Sequence, residues 1–437
     1  MSILDHESVF SAMLQNGPFA TVKSSPLAEH MFSKASKSWV AALNNDQLMK
    51  TKYRLVRNQI FDLLGINSLD ETLHLIHIPT RRQEAISRSH SLLANMFGIS
   101  GSPHDVTRHL NDYARTADDV IQTLRSKVLA PYSSHLETTN EITSTNEPVT
   151  LLLCLFDDRF HEKARFEAKR KLALMGLAGS IDHRERETCI ADKFSEFINF
   201  LNMFVWSSNL KIGEMEPAYL YSKHNPDDFQ CAEVETLTPE AAQRLSPQKG
   251  TKLTLIKRRR FNDRGTEIPI YVTIRKKAPA AKVIKLLRKN EKNPATAVDD
   301  ELGLMAVLNS VNDVNRFVRH LTRCAAKAGS FMTLEDISDT LTGGRYNGNA
   351  TGSSTKTAML KFFARIGGMR VEFIIHTNRS YLNYMYQRDV AHDEYEVKRL
   401  FDTGVAEFLF PRDFYHLNLT SIRDRQLARF RKLIEES

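Results

Sequence analysis

Apolar residues recur at three- and four-residue spacing through the first half of this chain and at every second position through much of the rest. "SWVAALNNDQLMKTKYRLVRNQIFDLLGI" (38–66) and "DVTRHLNDYARTADDVIQTLRSKVL" (105–129) have the first pattern, which predicts amphipathic helices. "SSHLETTNEITSTNEP" (133–148) is polar, rich in Ser and Thr, and ends in Pro, the composition of a linker. "PVTLLLCLF" (148–156) is the most apolar run, of a length for a strand or a core segment. "RFHEKARFEAKRKLALMGLAG" (159–179) predicts a basic helix stopped by glycines. "CIADKFSEFINFLNMFVWSSN" (189–209) predicts an amphipathic one, with Phe194, Phe197, Phe200, Leu201, Phe204 and Val205 paving a face for core packing.

From about 210 the period shifts toward two. "GTKLTLIKRRRFNDRGTEIPIYVTIRK" (250–276) predicts a hairpin turning near Asp263-Arg264-Gly265. A helix over 278–290 follows, then the strand "LGLMAVLNS" (302–310) and the helix "VNDVNRFVRHLTRCAAKAG" (311–329), with Asn312 or Asp313 as its cap. The Gly/Asn/Ser-rich loop "TGGRYNGNATGSSTK" (342–356) leads to the strands "TAMLKFFARI" and "GMRVEFIIHT", and the C-terminal block reads as helix. The expected architecture is α+β, a mixed sheet flanked by helices behind a mostly helical N-terminal half. Its parts are a helical domain over 1–133, a linker over 134–148, a helical block over 149–210 that packs on the C-terminal domain, and that domain over 211–437.

One position breaks the apolar pattern of the last strand: Glu372 stands between Val371 and Phe373. A strand with one wet face accommodates it. A functional reading requires a second carboxylate and a source of positive charge. "AVDDELGLMAVL" (297–308) offers Asp299 and Asp300 at the mouth of another apolar strand. The net charge of +8 favours a polyanionic partner, and the stretch 256–292 concentrates Lys and Arg against only Asp263, Glu267 and Glu291. Two acids with a cationic cluster form the minimum kit for phosphoryl or pyrophosphoryl transfer, in which Mg²⁺ is held by one or two carboxylates and substrate phosphates. Spacing alone leaves a pair of turn aspartates equally open.

Four segments, in order, resemble the synthetase domain of the RelA/SpoT family, the nucleotide pyrophosphokinases of nucleotidyltransferase type that make (p)ppGpp alarmones. "RKKAPAAKVIKLLRK" (275–289) is similar to the family's ATP-phosphate segment. "DDELG" (299–303) is similar to its Asp-x-x-Gly, "VEFIIHT" (371–377) to its glutamate strand and "AHDEYE" (391–396) to its Ala-His-x-x-Tyr element. The resemblance covers about 250–400. It implies Asp300 and Glu372 as catalytic and Mg²⁺-binding residues, with Asp299 not a ligand. Arg275, Lys277, Lys285, Arg288 and Lys289 are implied to bind ATP, the substrate, with Tyr346 and His392 toward the acceptor. Lys282 and Lys292 read as a solvated helix face. The sequence departs from the family at Met305 (usually Arg), Ile374 (usually Gln) and Ala281 (usually Ser), and its acceptor loop has Tyr346 as its single aromatic.

The implied activity is transfer of pyrophosphate from ATP to the 3′-hydroxyl of a guanosine or other purine nucleotide. Two alternatives stay open: a toxin-like branch that modifies the tRNA 3′ end, and an inactive module binding nucleotide or RNA. His104, Asp105 and His109 in "SPHDVTRHL" read as a helix start, so no hydrolase is expected. "MSILDHESVF" has no basic region followed by an apolar one, so no secretory signal is expected. No apolar run reaches the roughly 20 residues of a bilayer span, and no membrane partner is expected. Cys154, Cys189, Cys231 and Cys324 lack zinc-ligand spacing and fit a reduced, cytoplasmic setting.

Overall fold

A computed structural model of the chain describes residues 45–207, 215–246, 248–291, 293–344 and 357–436. In chain order the helices begin with α1 (Gln47–Leu64), α2 (Thr72–His77), α3 (Pro79–Met96), α4 (Pro103–Thr123), α5 (Asn140–Ser144), α6 (Pro148–Cys154), α7 (Glu162–Thr188) and α8 (Ile190–Phe200). Then come β1 (Glu216–His224), β2 (Cys231–Leu237), α9 (Pro239–Gln243), β3 (Thr251–Asp263), β4 (Thr266–Lys276), α10 (Pro279–Lys289), α11 (Ala295–Val298), β5 (Leu302–Leu308) and α12 (Val311–Lys327). The chain closes with β6 (Met332–Asp339), β7 (Leu360–Ile366), β8 (Met369–Thr377), α13 (Asn378–Tyr386), α14 (His392–Asp402), α15 (Val405–Leu409), α16 (Arg412–Tyr415) and α17 (Leu419–Glu436). The α+β architecture with a mixed sheet is as the sequence pattern predicts. No described helix is long and apolar enough to cross a membrane.

The chain forms two compact units, and both are discontinuous in sequence. Among the described residues a helical unit is drawn from 45–188, 278–298 and 403–419, and a sheet unit from 189–277, 299–402 and 420–436. Helices α10, α11, α15 and α16 belong to the helical unit although they are coded within the C-terminal half.

In the helical unit α7 packs against α4, α6 and α10 and carries buried ionic side chains as well as apolar ones. Glu167 accepts from the Thr139 amide (2.8 Å) and the Tyr415 hydroxyl (2.8 Å). Arg170 donates to the Leu409 carbonyl (2.5 Å), and Lys171 to Asp118 (2.9 Å) and the Thr143 carbonyl (2.9 Å). These contacts explain why residues 134–148 are not a loose linker: Leu136 and Ile142 are buried, and the α5 carbonyls are tied to Lys171. "PVTLLLC" is the helix α6, buried on nearly every side. A continuous apolar run cannot by itself separate a buried helix from a buried strand. Asp105 closes a capping box with Ser102 at the start of α4, and His109 lies 3.4 Å from Asp182.

Among the described residues the sheet unit is built on eight strands in the order β2-β1-β3-β4-β5-β8-β7-β6. Neighbours are antiparallel except β5 and β8, which run parallel. One face is the main core. Ile270, Leu304, Ala306, Phe362, Val371, Phe373 and Ile375 pack there against Phe197, Phe200, Leu201 and Val205 of the α8 segment and Phe317 and Leu321 of α12. The aromatic stripe thus packs the core, as expected. Ser310, rather than Asn312 or Asp313, caps α12, its hydroxyl accepting from the Asp313 amide (3.2 Å). Alternation sends the other set of side chains to the opposite face, where α13 covers the β1–β3 end. The candidate site lies on that second face.

Candidate active site

Pairing in register places Arg275 of β4, Gly303 of β5, Glu372 of β8 and Phe363 of β7 in one row across four strands. Gly303 is the gap in that row. A Cβ there would lie 2.9 Å from Arg275 Nε, so only glycine lets the arginine cross β5. Arg275 Nη2 donates to Glu372 Oε2 at 2.6 Å, and its side chain is 47% exposed. From the other flank, Lys361 of β7 brings Nζ within 2.7 Å of Glu372 Oε1, and both side chains are nearly sealed from solvent, 4% and 6% exposed. Gly303→Val should displace the guanidinium and, in the transferase proposed below, lower turnover about a hundredfold, the usual cost of an ångström-scale misplacement. The melting temperature should stay near wild type, and a transfer assay beside a thermal melt checks both.

The second carboxylate is close to the same charges. Lys277 Nζ lies 2.8 Å from Asp300 Oδ2 and donates to the Asp300 carbonyl at 2.9 Å. Asp299 is exposed and offers its carbonyl to Arg370 (3.2 Å). Burial alone would push the Glu372 carboxyl up, but the charges of Lys361, Arg275 and Lys277 outweigh it and hold the group below the ordinary glutamate value. Glu372 is therefore anionic at neutral pH, and Lys277 links its electrostatic environment to that of Asp300. Three cations face two carboxylates, leaving a site of net positive charge.

Beyond this row lies an aromatic layer. The buried His376 ring sits 5.3 Å from that of Tyr384, and the His392 ring stacks on Tyr384 at 5.1 Å. Burial pushes the Tyr384 phenol up to about 12, against the opposing charge of Arg275. His392 is thus an aromatic neighbour of a residue at the site. Burial pushes the His376 imidazole down to about 4 from its ordinary 6.5, against a small opposing effect of the Ala358 backbone. The unfolded chain then binds a proton that the folded one excludes between those values. Stability should rise with pH across that window, and this group should cost about 3 kcal/mol between pH 7 and 4. Urea titrations at the two pH values should show that slope in wild type and a shallower one in His376→Gln.

The fold thus gathers Arg275, Lys277, Asp300 and Glu372 within the sheet unit. Lys285, Arg288 and Lys289 are carried by α10 in the helical unit, where Lys285 is buried and donates to the Thr296 carbonyl (2.5 Å). Lys282 is not on a solvated face: it is 1% exposed and paired with Glu185. Tyr346 and Lys292 lie outside the described residues. Lys361, His376 and Tyr384 were not singled out by the sequence, and Gly303 entered it only as the glycine of the Asp-x-x-Gly match. A lone lysine in "AMLKFFARI" was the available signal, two residues out of step with its acid until the β7–β8 register is known.

Among the described residues no group of three or more His, Cys, Asp or Glu side chains is placed to hold a metal ion. Each oxygen of Glu372 and Oδ2 of Asp300 already has an ammonium or guanidinium within hydrogen-bond distance. In this arrangement cations of the chain neutralise both residues expected to hold Mg²⁺, Glu372 and Asp300. A scan against protein-family models and searches of curated proteins and of solved structures return no match to this chain.

Proposed function

We propose that the sheet unit transfers the β,γ-pyrophosphate of ATP to the 3′-hydroxyl of a guanosine or other purine nucleotide, in the manner of the RelA/SpoT synthetases its motifs resemble. One observation carries the reading. Arg275, Lys277, Asp300 and Glu372, drawn from three separate matching segments, meet on one polar sheet face, where Lys361 brings the count to three cations against two carboxylates.

ATP enters as its magnesium complex, the ion belonging to the substrate. Arg275 and Lys277 bind phosphate oxygens, the planar guanidinium in a bidentate fashion. Their fixed charges offset the negative charge that develops on the bridging oxygen. The acceptor 3′-oxygen attacks the β-phosphorus, the bond between that phosphorus and the α,β-bridging oxygen breaks, and AMP departs with the oxygen. Each Glu372 oxygen keeps a second lone pair beside the one its cation uses. Glu372 accordingly accepts a hydrogen bond from the 3′-hydroxyl, orients it in line and takes its proton as the bond forms. Asp300 fixes Lys277 through their ion pair.

The acceptor is the part to be tested. Purified chain and labelled ATP should be offered GDP, GTP, adenosine nucleotides and bulk tRNA in parallel. The reading predicts label on a purine nucleotide. Label confined to RNA would move the activity to the tRNA 3′ end, and silence with every acceptor alongside intact nucleotide binding would make the unit a binding module.

A further inference from the structure

Glu372 has two cationic partners, and they differ in mobility. Arg275 is about half exposed and reaches its acid across the open gap at Gly303. Lys361 is 4% exposed, has its ammonium 5.8 Å from the Phe363 ring, and lies with Ser338, Ile374, Met305 and Thr273 in one row across the sheet. Met305 and Ile374 bring no charge to that row. The charges acting on Glu372 are those of Lys361, Arg275 and Lys277, and Lys277 is itself bound to Asp300.

We infer that Lys361 is a positioning residue, the fixed counter-ion of Glu372 that frees Arg275 to bind an anionic phosphate chain. A carboxylate this deeply buried cannot give up its only cation without a cost of several kcal/mol. With two cations it can lend the exposed one and stay charged on the buried one. The guanidinium then meets phosphate while Glu372 keeps its place beneath the acceptor hydroxyl. Without Lys361, phosphate and Glu372 compete for one arginine.

The inference takes the identity of the anion from the pyrophosphotransfer reading, but its test is binding alone. Calorimetry with magnesium-free tripolyphosphate on the full chain compares wild type, Lys361→Met, Lys361→Arg, Glu372→Gln and the double variant Lys361→Met/Glu372→Gln. Lys361→Met should bind about tenfold or more weakly, and Lys361→Arg close to wild type. The double variant should regain the affinity of Glu372→Gln, because no acid remains to hold Arg275. Thermal melts show which variants are folded, and the double variant carries the test if Lys361→Met alone is not. Equal affinity of wild type and Lys361→Met, a folded double variant as weak as Lys361→Met, or absence of tripolyphosphate binding by wild type would overturn the inference. The expected binding pattern without label transfer from ATP would overturn the transferase reading and leave the counter-ion role standing. Transfer undiminished in Lys361→Met would do the reverse.

Discussion

Glu372→Gln should lower pyrophosphate transfer by about three orders of magnitude, the range for losing a positioned proton acceptor. The amide keeps the shape of the carboxylate and one acceptor for Lys361 or Arg275, so the lost quantity is charge. Without that charge the hydroxyl proton has no acceptor at the moment of attack. The same change leaves three cations facing only Asp300, so tripolyphosphate affinity should hold or rise. A fall in turnover with undiminished binding separates a chemical role from a general collapse of the site. Parallel loss of both would assign Glu372 to holding the sheet face together instead.

Lys171→Met should destabilise the helical unit by about 1–3 kcal/mol, the cost of leaving buried hydrogen-bond acceptors without their donor. The Lys171 side chain is 5% exposed, and its ammonium holds Asp118, the Ile142 and Thr143 carbonyls and Asn146 in one hydrogen-bonded knot. Methionine fills the volume and supplies none of those bonds. Asp118 already feels burial raising its carboxyl, with Lys171 opposing, and it would have to take up a proton or draw in water. Urea denaturation followed by circular dichroism should show a lower midpoint with an unchanged slope. Lys171→Arg should recover part of the loss.

Strands β3, β4, β5, β7 and β8 and the helices α10 and α12 are legible in the sequence because alternation and three-to-four spacing report directly which side chains meet a core. "TLIKRRRFND" and "EIPIYVTIRK" pair as the expected hairpin, and Phe197, Phe200 and Val205 are core. What local pattern does not report is partnership across the chain. Lys282 has the look of a solvated helix face, yet its partner Glu185 lies 97 residues earlier. Membership of α10 in the helical unit depends on packing against α4 and α7, which no window of sequence contains. The site divides along the same line. Arg275, Lys277, Asp300 and Glu372 were reached through motif order. Lys361 and the opening at Gly303 are set by strand register, and the pairing of cations with the two acids by three-dimensional proximity alone.

The most direct measurement follows the phosphates of ATP separately. ATP labelled at the α- or at the γ-phosphate is incubated with wild-type chain, magnesium and a guanosine nucleotide, and the products are resolved by thin-layer chromatography. The account predicts the α-label in AMP and the γ-label on the guanosine product, in equal amounts. Formation of ADP with a singly phosphorylated acceptor, or recovery of intact ATP with every nucleotide and RNA acceptor, would contradict it.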